Sequence, residues 1–254
     1  MFYFYGGLVV LIGLLIGSFL NCLIWRLYRE ESLNGRSYCP KCRHQISWYD
    51  NIPVFSFIFL KGQCRHCHQK ISWQYPIVEA ATALIFLLIF LKDLNHPQLT
   101  LILIRDWLVA ITLIIVFVYD WRWQLVPMLV IWPMTALIFI LNLLLGILWW
   151  KLLLLAALVV AFFLIQYLIT KRRGLGEGDI WLGLFLGVTF STGGELLLIA
   201  VTAYGLGAII SIILLSQRRK SWKSKIALGP FLAFGAIITL IWGSALINWY
   251  LGLF

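Results

Sequence analysis

Apolar runs about as long as a bilayer is thick decide most of what this chain can become. A helix needs about 20 mostly apolar residues to cross the hydrocarbon. The sequence reaches or approaches that length at roughly 5–27, 77–92, 99–119, 127–148, 152–170, 180–193, 196–216 and 228–250. The second and sixth runs are short for a span, so each is expected to tilt, dip or begin earlier than drawn. With 62% hydrophobic and 12% charged residues, the chain lacks the polar surface to coat a soluble domain. Repeated runs also exclude one cleaved signal peptide followed by a soluble enzyme. Thirteen Trp and ten Tyr suit interfacial belts, where a ring sits at headgroup depth with its polar atom in water.

The net charge of +10 does not read as a nucleic-acid surface, because the basic residues flank the apolar runs and form no recognisable binding module. Membrane lipid is the expected surrounding, and no nucleic acid is. Lys and Arg are retained on the cytoplasmic side of short loops. With the N-terminus outside, most of the 20 Lys and Arg fall on the inner side: Arg26, those from Arg29 to Lys70, Arg122, Lys171 to Arg173, and those from Arg218 to Lys225. Lys92, Arg105 and Lys151 are left outside. Three segments follow: a first span in 1–28, a cytoplasmic piece in 29–76, and a membrane domain in 77–254.

The cytoplasmic piece is too short for an unaided core and needs a staple such as a metal or disulfides. It carries four of the five cysteines. Cys39-Pro40-Lys41-Cys42 and Cys64-Arg65-His66-Cys67 have the spacing of two knuckles that fold over one tetrahedral Zn²⁺. A disulfide or redox role competes, but a cytoplasmic loop is reducing and the βαβ context of redox CxxC motifs is missing. His44, His66 and His68 flank a ligand set that four thiolates already complete. Cys22, alone in the first run, reads as a packing residue. The expected fold is therefore an all-α polytopic membrane protein of about eight transmembrane helices, with a small cytoplasmic zinc-binding loop domain between the first two spans.

Carboxylates are costly in a bilayer, by about 2.5–3.5 kcal/mol for Asp at the centre of a span. Asp93 and Glu195 fall in outer turns, and Arg105 and Asp106 are neighbours that can match each other, so these four read as topological. Asp120 ends the run Val116-Phe117-Val118-Tyr119, and Asp179 closes Gly174-Leu175-Gly176-Glu177-Gly178. Span parity brings both to the inner edge. Two carboxylates brought close cannot both ionise, so one keeps a proton while the other can activate water. The glycines, Gly176 and Gly178 among them, suit an active-site loop by allowing unusual backbone conformations or close approach of another segment. A competing role for Asp179 is as a helix cap. Glu177 is a third carboxylate nearby. A transporter or channel is the rival functional class, with intramembrane acids as an ion relay and the metal loop as a gate.

The chain resembles the type 4 prepilin peptidase family. The likeness runs through Gly17-Ser18-Phe19-Leu20-Asn21, Arg26-Leu27, Cys39-Pro40-Lys41-Cys42, Trp48-Tyr49-Asp50-Asn51-Ile52-Pro53-Val54, Leu60, Gly62, Cys64, Arg65, Cys67, Ile71-Ser72, Tyr75-Pro76 and Glu79. It continues through Asp120, Val126-Pro127, Gly176-Glu177-Gly178-Asp179-Ile180, Leu228-Gly229-Pro230-Phe231 and Gly235. Tyr28, Gln74 and Met128 depart from the family pattern, Gln74 in the amino-terminal region that the family associates with methyl transfer. The resemblance implies a GxGD intramembrane aspartyl protease with Asp120 and Asp179 as its catalytic pair. Its substrates would be prepilin or pseudopilin proteins, cut between a basic leader and an apolar helix. It also implies S-adenosyl-L-methionine-dependent N-methylation of the new N-terminus, and a bacterial cytoplasmic membrane as the location.

Overall fold

The computed structural model describes residues 2–171, 175–217 and 227–252. Gly174, Arg172, Arg173 and the basic cluster 218–225, which enter the expected orientation and glycine loop, lie outside the described residues. The chain divides into two compact units, Met1–Leu94 and Asn95–Phe254. Among the described residues the secondary structure is helical apart from two isolated bridges, Tyr38 with Gln45 and Gln63 with Lys70.

The first unit is a helix pair joined by a long loop. Helix α1 (Phe2–Arg29) and helix α3 (Gln74–Asp93) flank a short 3-10 turn (Trp48–Asn51) and helix α2 (Phe55–Phe59). Two glycines let α1 and α3 approach to backbone contact, the packing that small residues permit between membrane helices. A Cβ on Gly13 would lie 2.5 Å from the Cα of Ala83, and one on Gly17 2.6 Å from the Cα of Glu79. Polar atoms are matched along the same seam: Asn21 donates to the Tyr75 carbonyl at 3.1 Å and accepts from Gln74 at 3.3 Å. Past the end of α1, the buried guanidinium of Arg26 donates to the carbonyls of Ser32, Leu33, Gly35 and Arg36. Arg26 thus folds the start of the loop.

Among its described residues, the second unit is six helices: α4 (Leu99–Trp123), α5 (Met128–Leu144), α6 (Trp149–Ile169), α7 (Glu177–Thr189), α8 (Gly193–Ser216) and α9 (Gly229–Leu251). Helix α4 stops where Gln124 turns left-handed at φ 55° and donates to the Asp120 carbonyl. Gly146, at φ 85°, makes the turn into α6, a conformation that favours glycine. Thr192 and Glu195 cap the start of α8 reciprocally, so Glu195 has a local structural partner. Helix α7 packs against α5 and α6, and α9 against α4 and α8. Gly183 and Gly187 give α7 a glycine face; a Cβ on Gly187 would meet the Cα of Ala156 at 2.5 Å.

Among the described residues, eight helices of 13 residues or more occupy the eight expected runs, and six of them are long and apolar enough to cross a membrane. The second run begins earlier than drawn, one of the outcomes expected of it, and gives a full 20-residue helix, because Trp73 to Pro76 form its first turn. The fourth gives a 17-residue helix and the sixth only 13 residues. At about 1.5 Å per residue, α7 is roughly 20 Å long, well short of a bilayer core.

Replacing Gly17 or Gly13 by valine should destabilise the first unit by roughly 1–3 kcal/mol through overpacking. Gly7, whose Cβ would meet nothing within 4 Å, is the matched neutral control. Thermal unfolding of the detergent-solubilised protein checks this, and equal midpoints for Gly7→Val and Gly17→Val would refute it.

Candidate functional site

In the second unit, Asp120 lies in the last turn of α4 and Asp179 in the first turn of α7. Both are buried, at 4% and 8% exposure, and Asp179 is near enough for its charge to act on Asp120. Each carboxylate also meets the amino end of a helix. The Gly229 backbone N–H, at the start of α9, donates to Asp120. Asp179 Oδ2 accepts the Gly176 N–H at 3.1 Å, at the start of its own helix. Helix amino ends present unpaired N–H groups and a positive partial charge, so they hold anions without a charged side chain. The capping role weighed for Asp179 and its place beside Asp120 are thus compatible.

Glycine is required here for proximity. A Cβ on Gly229 would fall on the Asp120 carboxylate, and one on Gly178 would lie 2.6 Å from Val126 Cγ2. Gly178 therefore lets the first turn of α7 press on the turn between α4 and α5. Gly176 has an ordinary φ of −82°, and neither it nor Gly178 has a positive φ. The expectation of unusual backbone conformations fails at both, while that of close approach holds at Gly178. Glu177 is held by Tyr167, whose hydroxyl donates to Oε1 at 2.6 Å. Tyr119, Trp121 and Trp123 surround Asp120 in sequence, with Arg122 stacked 5.1 Å from the Trp123 ring centroid. This is the composition of an interfacial belt.

Two features of this unit escape a sequence reading. Gly229 carries no chemistry of its own, and only the fold puts its N–H on Asp120. Arg105 does pair with Asp106, at 2.5 Å, but it also donates to the Asn142 side chain and to the Thr189 carbonyl. Asn142 stands inside an apolar run, where a lone amide announces nothing.

In the first unit, the sulfurs of Cys39, Cys42, Cys64 and Cys67 lie within 4.8 Å of one another. Cys39 and Cys67 sulfurs are 3.9 Å apart. A tetrahedral ion with bonds of about 2.3 Å needs sulfurs about 3.8 Å apart, so the cluster can hold a metal ion. The two knuckles repeat one backbone pattern. Cys39 N–H donates to the His44 carbonyl and Arg43 N–H to the Cys39 carbonyl; Cys64 N–H donates to Gln69 and His68 N–H to Cys64. Arg43 and His68, each one residue past its second cysteine, are both left-handed, at φ 58° and 54°. Backbone N–H groups of Cys67 and His66 aimed at Cys64 bring its thiol down to about 7, favouring the thiolate that binds metal. All five cysteines are free, and His44 and His66 stack at 3.4 Å between ring centroids, outside the four-sulfur group.

The cysteine knuckles are tied to their surroundings. Arg65 grips Asp50 at 2.6 Å, and its guanidinium holds the Asp50 carboxyl below the usual carboxylate range. Val54 has φ 61° and ψ −50°, with Phe55 N–H bonded to the Pro53 carbonyl. This is the rare, strained γ-turn with positive φ. The Val54 N–H donates at 2.7 Å to the buried carboxylate of Glu79 on α3, which also bonds Ser18 on α1.

Two family models match the chain, the bacterial Peptidase A24 N-terminal domain over residues 11–92 and the Type IV leader peptidase family over 107–215. The four clustered cysteines fall in the first and both aspartates in the second. A prepilin leader peptidase/N-methyltransferase of Aeromonas salmonicida (strain A449) is 33% identical over 282 residues, covering 97% of this chain and 94% of that protein. The protein of the same name in Pseudomonas aeruginosa is 31% identical over 274 residues, covering 95% and 92%. The type 4 prepilin-like proteins leader peptide-processing enzyme of Escherichia coli O78:H11 is 32% identical over 267 residues, covering 90% of each chain. No solved structure matches. The transporter or channel reading finds no support among these relatives. With its apolar helices, its matched halves and relatives that cover nearly its whole length, the chain is an integral membrane protein that belongs to the Type IV leader peptidase family.

Proposed function

We propose that this protein is a prepilin leader peptidase of the bacterial cytoplasmic membrane, with Asp120 and Asp179 as its catalytic pair. One observation carries the proposal: two carboxylates buried within electrostatic reach of each other, each at a helix amino end, in a chain of this family. The relatives' names supply the substrate class, prepilin-type proteins with a removable leader. One aspartate, ionised, takes a proton from water as the oxygen attacks the scissile carbonyl; the other, protonated, donates a hydrogen bond to the carbonyl oxygen. The proton then passes to the leaving amine, and the pair returns to sharing one proton. Helix-end N–H groups stabilise the charged carboxylate of each half-reaction in place.

The Tyr119 to Trp123 belt supports a pair at headgroup depth, where the junction between a basic leader and an apolar helix sits. Positive-inside asymmetry supports an N-terminus outside and the loop of residues 29–76 in the cytoplasm. In this scheme zinc fills the four-cysteine cage and is structural, because four thiolates leave no open position for water. The loop is then a rigid platform, and the following helices carry out the cleavage. The relatives' names add N-methylation of the new N-terminus, for which S-adenosyl-L-methionine is the proposed donor. The cleft of about 380 Å³ lined by Tyr3, Gly6, Gly7, Val10, Leu87 and Leu91 is apolar and does not fit a charged sulfonium nucleoside.

Asp120→Asn and Asp179→Asn should each lower cleavage of a prepilin-type substrate by at least about 10²–10⁴-fold, the range of positioned proton transfer. A wild-type rate from either one, measured in membranes by mass of the product, would end the dyad assignment. Gly229→Ala should fold yet lose most activity, since its methyl group displaces the Asp120 carboxylate; unchanged kcat would show that the Gly229 contact is dispensable. Purified protein should hold one zinc per chain by elemental analysis, and chelation should speed tryptic cleavage after Lys61 and Lys70. Absent zinc, or a disulfide between the CxxC pairs, would refute the platform.

A further inference from the structure

We propose that Arg105 and Asn142 are positioning residues for Asp179: they cap the carboxyl end of α7 and fix how far along its axis that helix holds its first turn. The proposal presupposes that Asp179 belongs to the reacting pair. It begins from the shortness of α7, which has 13 residues and no basic residue in its last turn. The last carbonyls of a helix have no partner within it. In hydrocarbon, where water does not compensate, each one left bare is costly. A span of ordinary length delivers those carbonyls to the headgroups, but α7 ends too soon for that.

Other helices meet the need. Asn142 on α5, fully buried, donates to the Val188 carbonyl at 2.7 Å. Arg105 on α4 donates to the Thr189 carbonyl. The two caps are locked to each other, since Arg105 Nε donates to Asn142 Oδ1 at 3.1 Å. Asp106, also fully buried, faces Arg105 Nη1 at 2.5 Å and balances its charge. A cation at a helix carboxyl end is favoured by the helix dipole as well.

Distances along the helices explain why this bears on the active site. Arg105 and Asp120 sit fifteen residues apart on α4, about 22 Å at 1.5 Å per residue. Asp179 and Thr189 sit ten residues apart on α7, about 15 Å. The difference, about 7 Å, is a length that an extended arginine side chain spans. Arg105 therefore braces the far ends of the antiparallel helices α4 and α7, while Asp120 and Asp179 lie within electrostatic reach of each other at the near ends. Loss of the far brace lets α7 shift along its axis, and a displacement of about 1 Å at reacting groups can cost 10²-fold in rate.

The test separates capping from simple charge balance. In Arg105→Met with Asp106→Leu, both charges of that ion pair are removed together, and the Thr189 cap is gone. We expect kcat on a prepilin-type substrate to fall about 100-fold with KM within about twofold, and Arg105→Lys to recover most of the loss. Amide hydrogen exchange at residues 186–190, read in the same nanodisc samples, should accelerate. Should the double variant not accumulate, Asn142→Leu, with the charge pair intact, should lower kcat in the same way and expose the Val188 end. Wild-type kcat and exchange in the double variant or in Asn142→Leu would overturn the proposal. Asp120→Asn and Asp179→Asn run alongside: activity there removes the dyad reading, whereas faster exchange at the end of α7 still reports the cap without turnover.

Discussion

Hydrocarbon offers no hydrogen-bond partner, so every polar atom carried into it must be answered by another part of the same chain. Both units are organised around such answers. In the first, Asn21, Gln74 and the Tyr75 carbonyl satisfy one another across a seam closed by Gly13 and Gly17. In the second, Arg105, Asp106 and Asn142 close a network on the end of a short helix. Among the described residues, the two buried aspartates at the other end are met by backbone N–H groups. That choice matters chemically, because a lysine or arginine there would pin a carboxylate in its charged form, whereas a backbone donor leaves the pair able to pass a proton.

Much of this was legible before any coordinates. The apolar runs located every long helix, because composition over about 20 residues is a strong signal, and the CxxC spacing located the sulfur cage. Asp120 and Asp179 stood out as acids where acids are expensive. Their neighbourhood was less readable. Gly229 is one of 20 glycines, and its importance arises from where α9 begins. Asn142 looks like a tolerated polar residue in α5 until the end of α7 is seen to fall beside it. The start of α3 was less legible, because its first turn, Gln74-Tyr75-Pro76, is less apolar than the run that follows.

The glycine loop illustrates how a correct residue can be chosen for an incomplete reason. Glycine before Asp179 suggests backbone freedom, but Gly176 and Gly178 have no positive φ. What Gly178 provides is the absence of a side chain, so that Val126 can sit against the first turn of α7. Sequence motifs record which residue is needed; the contact that makes it necessary is a property of three dimensions.

The Val54 turn ties these themes together. A β-branched residue in that region of backbone space is strained by about 1–3 kcal/mol, and the bond from its N–H to Glu79 holds it there. Glu79 rises from the α3 backbone at the point where Gly17 of α1 touches it. The loop bearing the cysteine knuckles is therefore latched to the seam between the two helices. Separating α1 from α3 would release the latch, and relaxing the turn would withdraw a partner from a buried carboxylate. The extramembrane loop and the helix pair beneath it should consequently open as one cooperative unit, so that protection of the loop's amides reports on the integrity of a contact inside the membrane.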